Sequence, residues 1–444
     1  MNRLRNLSIF VAIALVTSAT VLVTIVWLVP DHGQQRDQQD IRPLKGVMQL
    51  IKNRYVEEVD DRTLLYGAIN GMLATLDPHS SFLPADSFTE MRITTKGAFG
   101  GLGIEITIRD GKLTIISPIE DTPAHRAGLK PGDLILRIND ESSRNMTINE
   151  AVSRMRGQEG TKVRLTILRN GQNRPFELTL VRATIRLKSV RYRQLANGFG
   201  YLRISQFQER TSEDFIAALE SLKQQNKGEL RGLVIDLRNN PGGLLDQAIQ
   251  ISNRFIGQDV NDSLIVSTRG RGTGSEIPFY ATIGDKEPPY PIVVLINGGS
   301  ASASEIVAGA LQDHRRALIL GTQSFGKGSV QTMYPLRDGA GLLLTTARYY
   351  TPSGRSIQAT GITPDLVVPQ LELSSATKKS REEFHEKDLQ NHLPPTGEIK
   401  PVEKPVMRPQ TIPGDTTDDY QLSRALELLK GLNLLRKRQQ SPAS

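Results

Sequence analysis

Cysteine is absent from all 444 residues. That absence excludes disulfides, metal–thiolate sites, a cysteine nucleophile and a lipoprotein anchor together. Histidine is scarce, and none of its six copies sits in a nucleophile-and-base signature. No G-x-S-x-G elbow follows a strand pattern, which argues against an α/β-hydrolase. Aromatic residues make up 5 %, and the basic residues are scattered rather than interleaved with them, so no nucleic-acid partner is expected. No metal set and no cofactor is expected either. The net charge of +8 implies only mild attraction to anionic surfaces.

Uncharged runs long enough to span a bilayer are rare too, and the notable one is N-terminal. Arg3 and Arg5 precede an uncharged run from Asn6 to Pro30, with Trp27 near its outer end. About 20 apolar residues suffice to cross a bilayer, and the positive flank sends the rest of the chain across. No clean A-x-A cleavage site is present. Residues 1–30 are therefore expected to be a signal or an uncleaved membrane anchor. The remainder is expected in the periplasm, anchored in the inner membrane or soluble after cleavage.

What is present is organised around the stretch from Ile296 to Gln331. Ile292-Val293-Val294-Leu295-Ile296 reads as a buried strand, followed by glycines and small hydroxyl residues from Asn297 to Ser304. Ile306, Val307, Ala310 and Leu311 then recur at helical spacing. Ala317 to Leu320 is a second apolar run, leading to Gly326-Lys327-Gly328. Strand, tight turn, helix and strand make a βαβ unit, and open α/β sheets place their sites at such turns.

Ser302 at that helix start has two readings. Ser302-Ala303-Ser304-Glu305 fits a capping box, S-x-x-E. A serine there is also placed to attack a carbonyl while the next amide holds the oxyanion. Such a serine needs a base. Lys327 is the candidate, because a lysine in a dry pocket loses its charge more easily. Gln331 lies four residues on and can orient the amine. A Walker phosphate grip is not met, since Gly328 stands where that motif needs Ser or Thr.

Ser300-Ala301-Ser302-Ala303-Ser304-Glu305, Phe325-Gly326-Lys327-Gly328 and Gln331 together resemble the signature of the carboxyl-terminal processing, or tail-specific, proteases. The resemblance runs from about Leu44 to Pro369. It implies a Ser-Lys dyad, with Ser302 as nucleophile, Lys327 as general base and Gln331 as its orienter. Lys327 follows Ser302 by 25 residues, as the family would have it. It further implies an oxyanion hole from the amide of Ala303 with Gly242 or Gly243, in Asn239-Asn240-Pro241-Gly242-Gly243. The fold implied is multidomain α/β: a crotonase-like α/β protease core, an inserted β-rich PDZ domain and a helical N-terminal region.

The domains follow in order. Residues 31–95 are a spacer and helical region, in which Val47, Leu50, Ile51 and Tyr55 share one face. A second helix, with Leu64, Leu65, Ala68, Ile69 and Met72, ends at Leu76-Asp77-Pro78-His79-Ser80-Ser81-Phe82-Leu83, where Pro78 stops it. His79 is expected to bond locally rather than act as a base. Residues 96–182 look like a PDZ domain. Its Gly101-Leu102-Gly103-Ile104 loop is expected to capture a terminal carboxylate while a peptide adds as a strand. Residues 183–370 form the peptidase core. Residues 371–419, charged and rich in proline, are expected to be a disordered linker. Residues 420–444 carry an amphipathic helix, with Leu422, Leu426, Leu429 and Leu432 on one face.

The expected activity is endoproteolysis near protein C-termini, with the PDZ domain selecting or gating substrate. Expected partners are protein substrates with accessible C-termini, a second copy of the chain in a homo-oligomer, an adaptor or activator protein, and the membrane through residues 1–30. The competing reading is a non-catalytic PDZ adaptor that presents C-termini to another protease. A crotonase-like acyl-transfer enzyme is a third class that no feature demands.

Overall fold

The apolar run Leu233-Val234-Ile235 predicts a strand covered on both faces, and the structure shows why. In this computed structural model, Leu233 and Ile235 join one core while Val234 joins another. The next strand splits the same way, with Ile292, Val294 and Ile296 on one side and Val293 and Leu295 on the other. Alternate side chains point to opposite faces, so a two-sided strand must be apolar throughout.

The structure describes residues 41–169, 171–172, 174–257, 263–370, 385–394 and 419–440. The expected signal or anchor of residues 1–30 lies outside them. Among the described residues no helix is long and apolar enough to cross a membrane. The chain divides into two units, the first ending at Met72. In that first unit the helix Arg42–Arg54 buries none of its residues. It leaves Leu44, Val47 and Leu50 exposed.

The second unit holds a larger α/β core and the smaller β-rich domain. A six-stranded sheet runs Val190–Leu195, Phe199–Ile204, Gly232–Asp236, Ile292–Ile296, Leu318–Gly321, Leu366–Val367. The first pair is antiparallel and every later pair is parallel. Helices Thr211–Gln225, Leu245–Asn253 and Ala303–Asp313 fall between the parallel strands in sequence, as parallel pairing requires. A second, antiparallel sheet is built on the long strand Gly341–Tyr350. That strand pairs with Ser81–Leu83, Ser329–Pro335 and Leu264–Gly270.

The C-terminal helix Tyr420–Gln440 folds back on this unit. Leu422, Ala425 and Leu429 pack with Val234, Val293, Leu295 and Leu320. Its entry is fixed by Arg238, which bonds Asp236 and reaches Asp419 Oδ2 at 2.6 Å and Gln421 Oε1 at 3.0 Å. Burial opposes the Arg238 charge, but Asp419 and Asp236 outweigh it and raise its pKa.

The β-rich domain has a six-stranded antiparallel sheet in the order Ile104–Arg109, Lys112–Pro118, Leu134–Ile138, Lys162–Leu168, Phe176–Val181, with the short Glu141–Ser142 also paired to Leu134–Ile138. Helix Ile148–Met155 starts at a capping box between Thr147 and Glu150. The domain joins the core through the strand pair Ala98–Gly101 and Ala183–Arg186 and through an Arg156–Glu90 ion pair.

The expected linker needs a correction. Within residues 371–419, residues 385–394 pack against the core, and Glu386 is fully buried. Composition suggested solvation, but two partners distant in sequence, His79 and Gln358, satisfy that carboxylate. The remainder of the stretch up to residue 418 lies outside the described residues.

Candidate active site

Strand Ile292–Ile296 delivers the chain to a tight turn, and Ser302 caps the helix Ala303–Asp313 that follows. Ser302 has φ 53° and ψ −113°. A positive φ at a β-substituted residue is strained, by about 1–3 kcal/mol. Strand, strained turn and helix reproduce a nucleophile elbow without the G-x-S-x-G sequence.

Neighbouring polar groups hold the turn. The buried Asn240 carbonyl accepts Ala301 N–H at 3.0 Å and the Ser304 hydroxyl at 3.0 Å. Asn240 Oδ1 accepts the Gly242 N–H at 2.9 Å. Gly242 therefore has its amide in use. It has φ 99°, and a Cβ there would lie 2.8 Å from the Ser302 Cβ and 3.0 Å from Ala303 N. Its contribution is the space its missing side chain leaves. Gly243 bridges Phe207 in parallel fashion, where Phe207 N–H donates to Gly242 O and Leu244 N–H to Phe207 O. Among the described residues, no hydrogen bond from Gly243 N–H or Ala303 N–H occurs. Of the expected oxyanion donors, these two amides are free to serve.

Glu305 was expected as a local cap, and its wider role was missed. Its side chain is fully buried. Oε2 accepts Ser302 N–H at 2.8 Å and Lys327 N–H at 2.9 Å. Oε1 accepts the Ser324 hydroxyl at 2.5 Å and Gly326 N–H at 2.7 Å. One carboxylate thus ties the Ser302 turn to the Lys327 loop. Burial pushes its pKa up to about 7, and the four hydrogen bonds restrain the rise.

Lys327 sits in the loop between strands Leu318–Gly321 and Ser329–Pro335. Burial lowers its pKa, while Glu386, Glu305 and Asp77 pull the other way. Gln331 Nε2 donates to Ser329 Oγ at 2.8 Å and to Thr345 Oγ1 at 3.3 Å. Burial raises the Tyr349 pKa to about 12, and the nearby Ser302 side chain restrains the rise. Tyr349 was not foreseen; it lies near the end of the long strand, paired with Thr268.

His79 does not bond only locally, as expected. Its backbone N–H donates to Asp77 Oδ1 at 2.8 Å, but its ring Nε2 lies 2.7 Å from Glu386 Oε2. The ring serves Glu386 and has no bond to Ser302 among the described residues.

In the β-rich domain, Gly101, Leu102 and Gly103 are buried and Ile104 opens the outermost strand. Gly103 has φ 76°, and a Cβ there would overlap Thr122. Among the described residues, strand Ile104–Arg109 leaves one backbone edge unpaired in the sheet, the feature β-strand addition needs.

Comparison with known proteins agrees with this arrangement. Residues 198–368 match the model of peptidase family S41, residues 114–169 a PDZ domain, and residues 11–87 the activating protease CtpB N-terminal domain. A carboxy-terminal-processing protease of Bartonella bacilliformis is 45 % identical over 429 residues, covering 96 % of each chain. Carboxy-terminal processing protease CtpB of Bacillus subtilis is 37 % identical, over 82 % of this chain and 75 % of that one. A carboxyl-terminal-processing protease of Synechocystis is 40 % identical, over 74 % and 76 %. With a relative this similar across nearly its whole length, the chain belongs to peptidase family S41 and is a serine peptidase of the carboxy-terminal processing type.

Proposed function

We propose that this is a periplasmic, self-associating endopeptidase in which Ser302 attacks protein substrates near their C-termini and the PDZ domain selects or gates them. The observation that carries the reading is the buried Glu305 carboxylate. It accepts the backbone N–H groups of both Ser302 and Lys327, so two residues far apart in sequence belong to one site.

In this reading neutral Lys327 takes the Ser302 proton as Oγ attacks the scissile carbonyl. Loss of charge is favoured by the amine's burial. The Ala303 and Gly243 amides receive the oxyanion. The Gln331 amide nitrogen is used by Ser329 and Thr345, which leaves its carbonyl for the lysine. Among the described residues, Ser302 and Lys327 are joined through their backbone amides at Glu305, with no hydrogen bond from hydroxyl to amine. Catalytic hydrogen bonds commonly tighten only with substrate bound. The periplasmic placement rests on residues 1–30.

The test is cleavage of a partly unfolded protein, with the products sequenced. Ser302→Ala and Lys327→Ala should each lower kcat/KM by about a thousandfold or more, because residues acting as a unit fail together. Near-normal turnover in either variant rejects the assignment. A pure adaptor would instead bind C-terminal peptides in all three proteins and cut in none.

A further inference from the structure

The loop Phe325–Gly328 is held from two sides by two buried glutamates. Glu305, on the nucleophile helix, takes the Gly326 and Lys327 amides. The second is Glu386, in the segment 385–394 that returns to the core after the sheet is complete. Its backbone N–H donates to Phe325 O at 3.0 Å. Its carboxylate accepts Gln358 Nε2 at 2.9 Å and meets His79 Nε2 at 2.7 and 2.8 Å. The buried Gln358 in turn accepts Gly328 N–H at 3.0 Å through Oε1 and donates to Leu393 O at 3.2 Å. Glu386 and Gln358 thus grip both ends of the loop. Every amide between Phe325 and Gly328 has an acceptor, the first being Ser300 O at 3.0 Å.

We infer that Glu386 is a positioning residue for Lys327: its amide holds the Phe325 end of the base loop, and its carboxylate, through Gln358, holds the Gly328 end. The inference rests on Lys327 being the general base. A buried carboxylate normally needs full hydrogen bonding, and here that need is met by groups that brace a loop carrying the reactive lysine. The charged and titratable groups around the amine are Glu386, Glu305 and Asp77, all acidic. Those around Glu386 are His79 and Lys327 itself. Glu386 favours the ammonium form, so it opposes the burial that favours the neutral amine. The sign follows directly. Removing the Glu386 charge lowers the lysine pKa, and the neutral base then exists at lower pH.

The experiment is the pH profile of kcat/KM for the full-length protein on a partly unfolded protein substrate, which reports groups of the free enzyme. Glu386→Gln keeps the shape and removes the charge. Its rising limb should move to lower pH by about half a unit or more, the scale of a nearby charge on a pKa, with kcat reduced. Glu386→Asp keeps the charge on a shorter arm, and its limb should fall between wild type and Glu386→Gln. Thermal melts show which variants are folded, and if Glu386→Gln is not, Glu386→Asp alone reads the same shift. A limb that stays in place in whichever variant folds overturns the inference, even if kcat drops. Lys327→Ala separates the two failures: if it still cuts, the base assignment is wrong, and if it is dead while the limb is unmoved, only the Glu386 role is wrong.

Discussion

Glu305 is the residue on which most of the site's geometry converges. Its two oxygens accept four donors and have no donor to return. Glu305→Gln places an amide N–H₂ against at least one of those donors in a dry site. Leaving buried donors unmade costs about 1–3 kcal/mol, so the variant should lose about 2 kcal/mol by urea unfolding, together with most of its activity. A pH effect accompanies it. The folded carboxyl ionises near 7, against 4.5 for the ordinary group. Between those values the folded protein keeps a proton that the unfolded chain has given up. Stability from this group therefore falls as pH rises through that window, and Glu305→Gln should flatten that slope in urea midpoints. An unchanged slope removes Glu305 as its source. On its pattern alone Ser302 read first as a helix cap, and its pairing with Lys327 came from the resemblance to the carboxyl-terminal processing proteases. Glu305 was legible only as a cap, since its other donors lie 19 to 22 residues away. The sequence could not choose between Gly242 and Gly243, because the choice depends on the side chain of Asn240.

At the scale of elements, sequence pattern worked where one period repeats and failed where one contact decides. The core strands are continuous apolar runs, and the C-terminal helix is a leucine stripe. Both are seen where expected. The segment 385–394 has no period and a solvated composition, yet one carboxylate with distant partners docks it. In the β-rich domain, the outermost strand Ile104–Arg109 and the loop at Gly101-Leu102-Gly103 sit together. A peptide added along that strand would bring its terminus to the loop amides. Peptides ending in an apolar residue with a free carboxylate should bind at least tenfold more tightly than their amidated forms, measured by fluorescence anisotropy. Equal binding of the two forms would remove the loop as a carboxylate site.

On the scale of the whole molecule, the C-terminal helix answers one question and leaves surface for another. Its inner face, Leu422, Ala425 and Leu429, is spent on its own sheet. Removing the helix would therefore strip cover from Val234, Val293 and Leu295, and it would test folding rather than assembly. Its far end differs. Leu434 and Leu435 are 63 % and 58 % exposed. Leu435 and Leu432 line an apolar groove with Leu366 and Val367 of the sheet's last strand, whose outer edge has no strand beside it among the described residues. Adjacent exposed leucines beside an open sheet edge favour association. The first unit offers a separate apolar face, with Val47 and Leu50 exposed on one helix. Self-association through either face should appear as a particle heavier than one 49.0 kDa chain in light scattering. Leu434→Glu with Leu435→Glu should reduce that mass if the C-terminal face is used, and Val47→Glu with Leu50→Glu if the N-terminal one is. These positions are exposed, so melting temperature should hold while mass falls. A wild-type particle of one chain's mass would reject self-association outright. A larger particle indifferent to all four charges would place the contact elsewhere on the molecule.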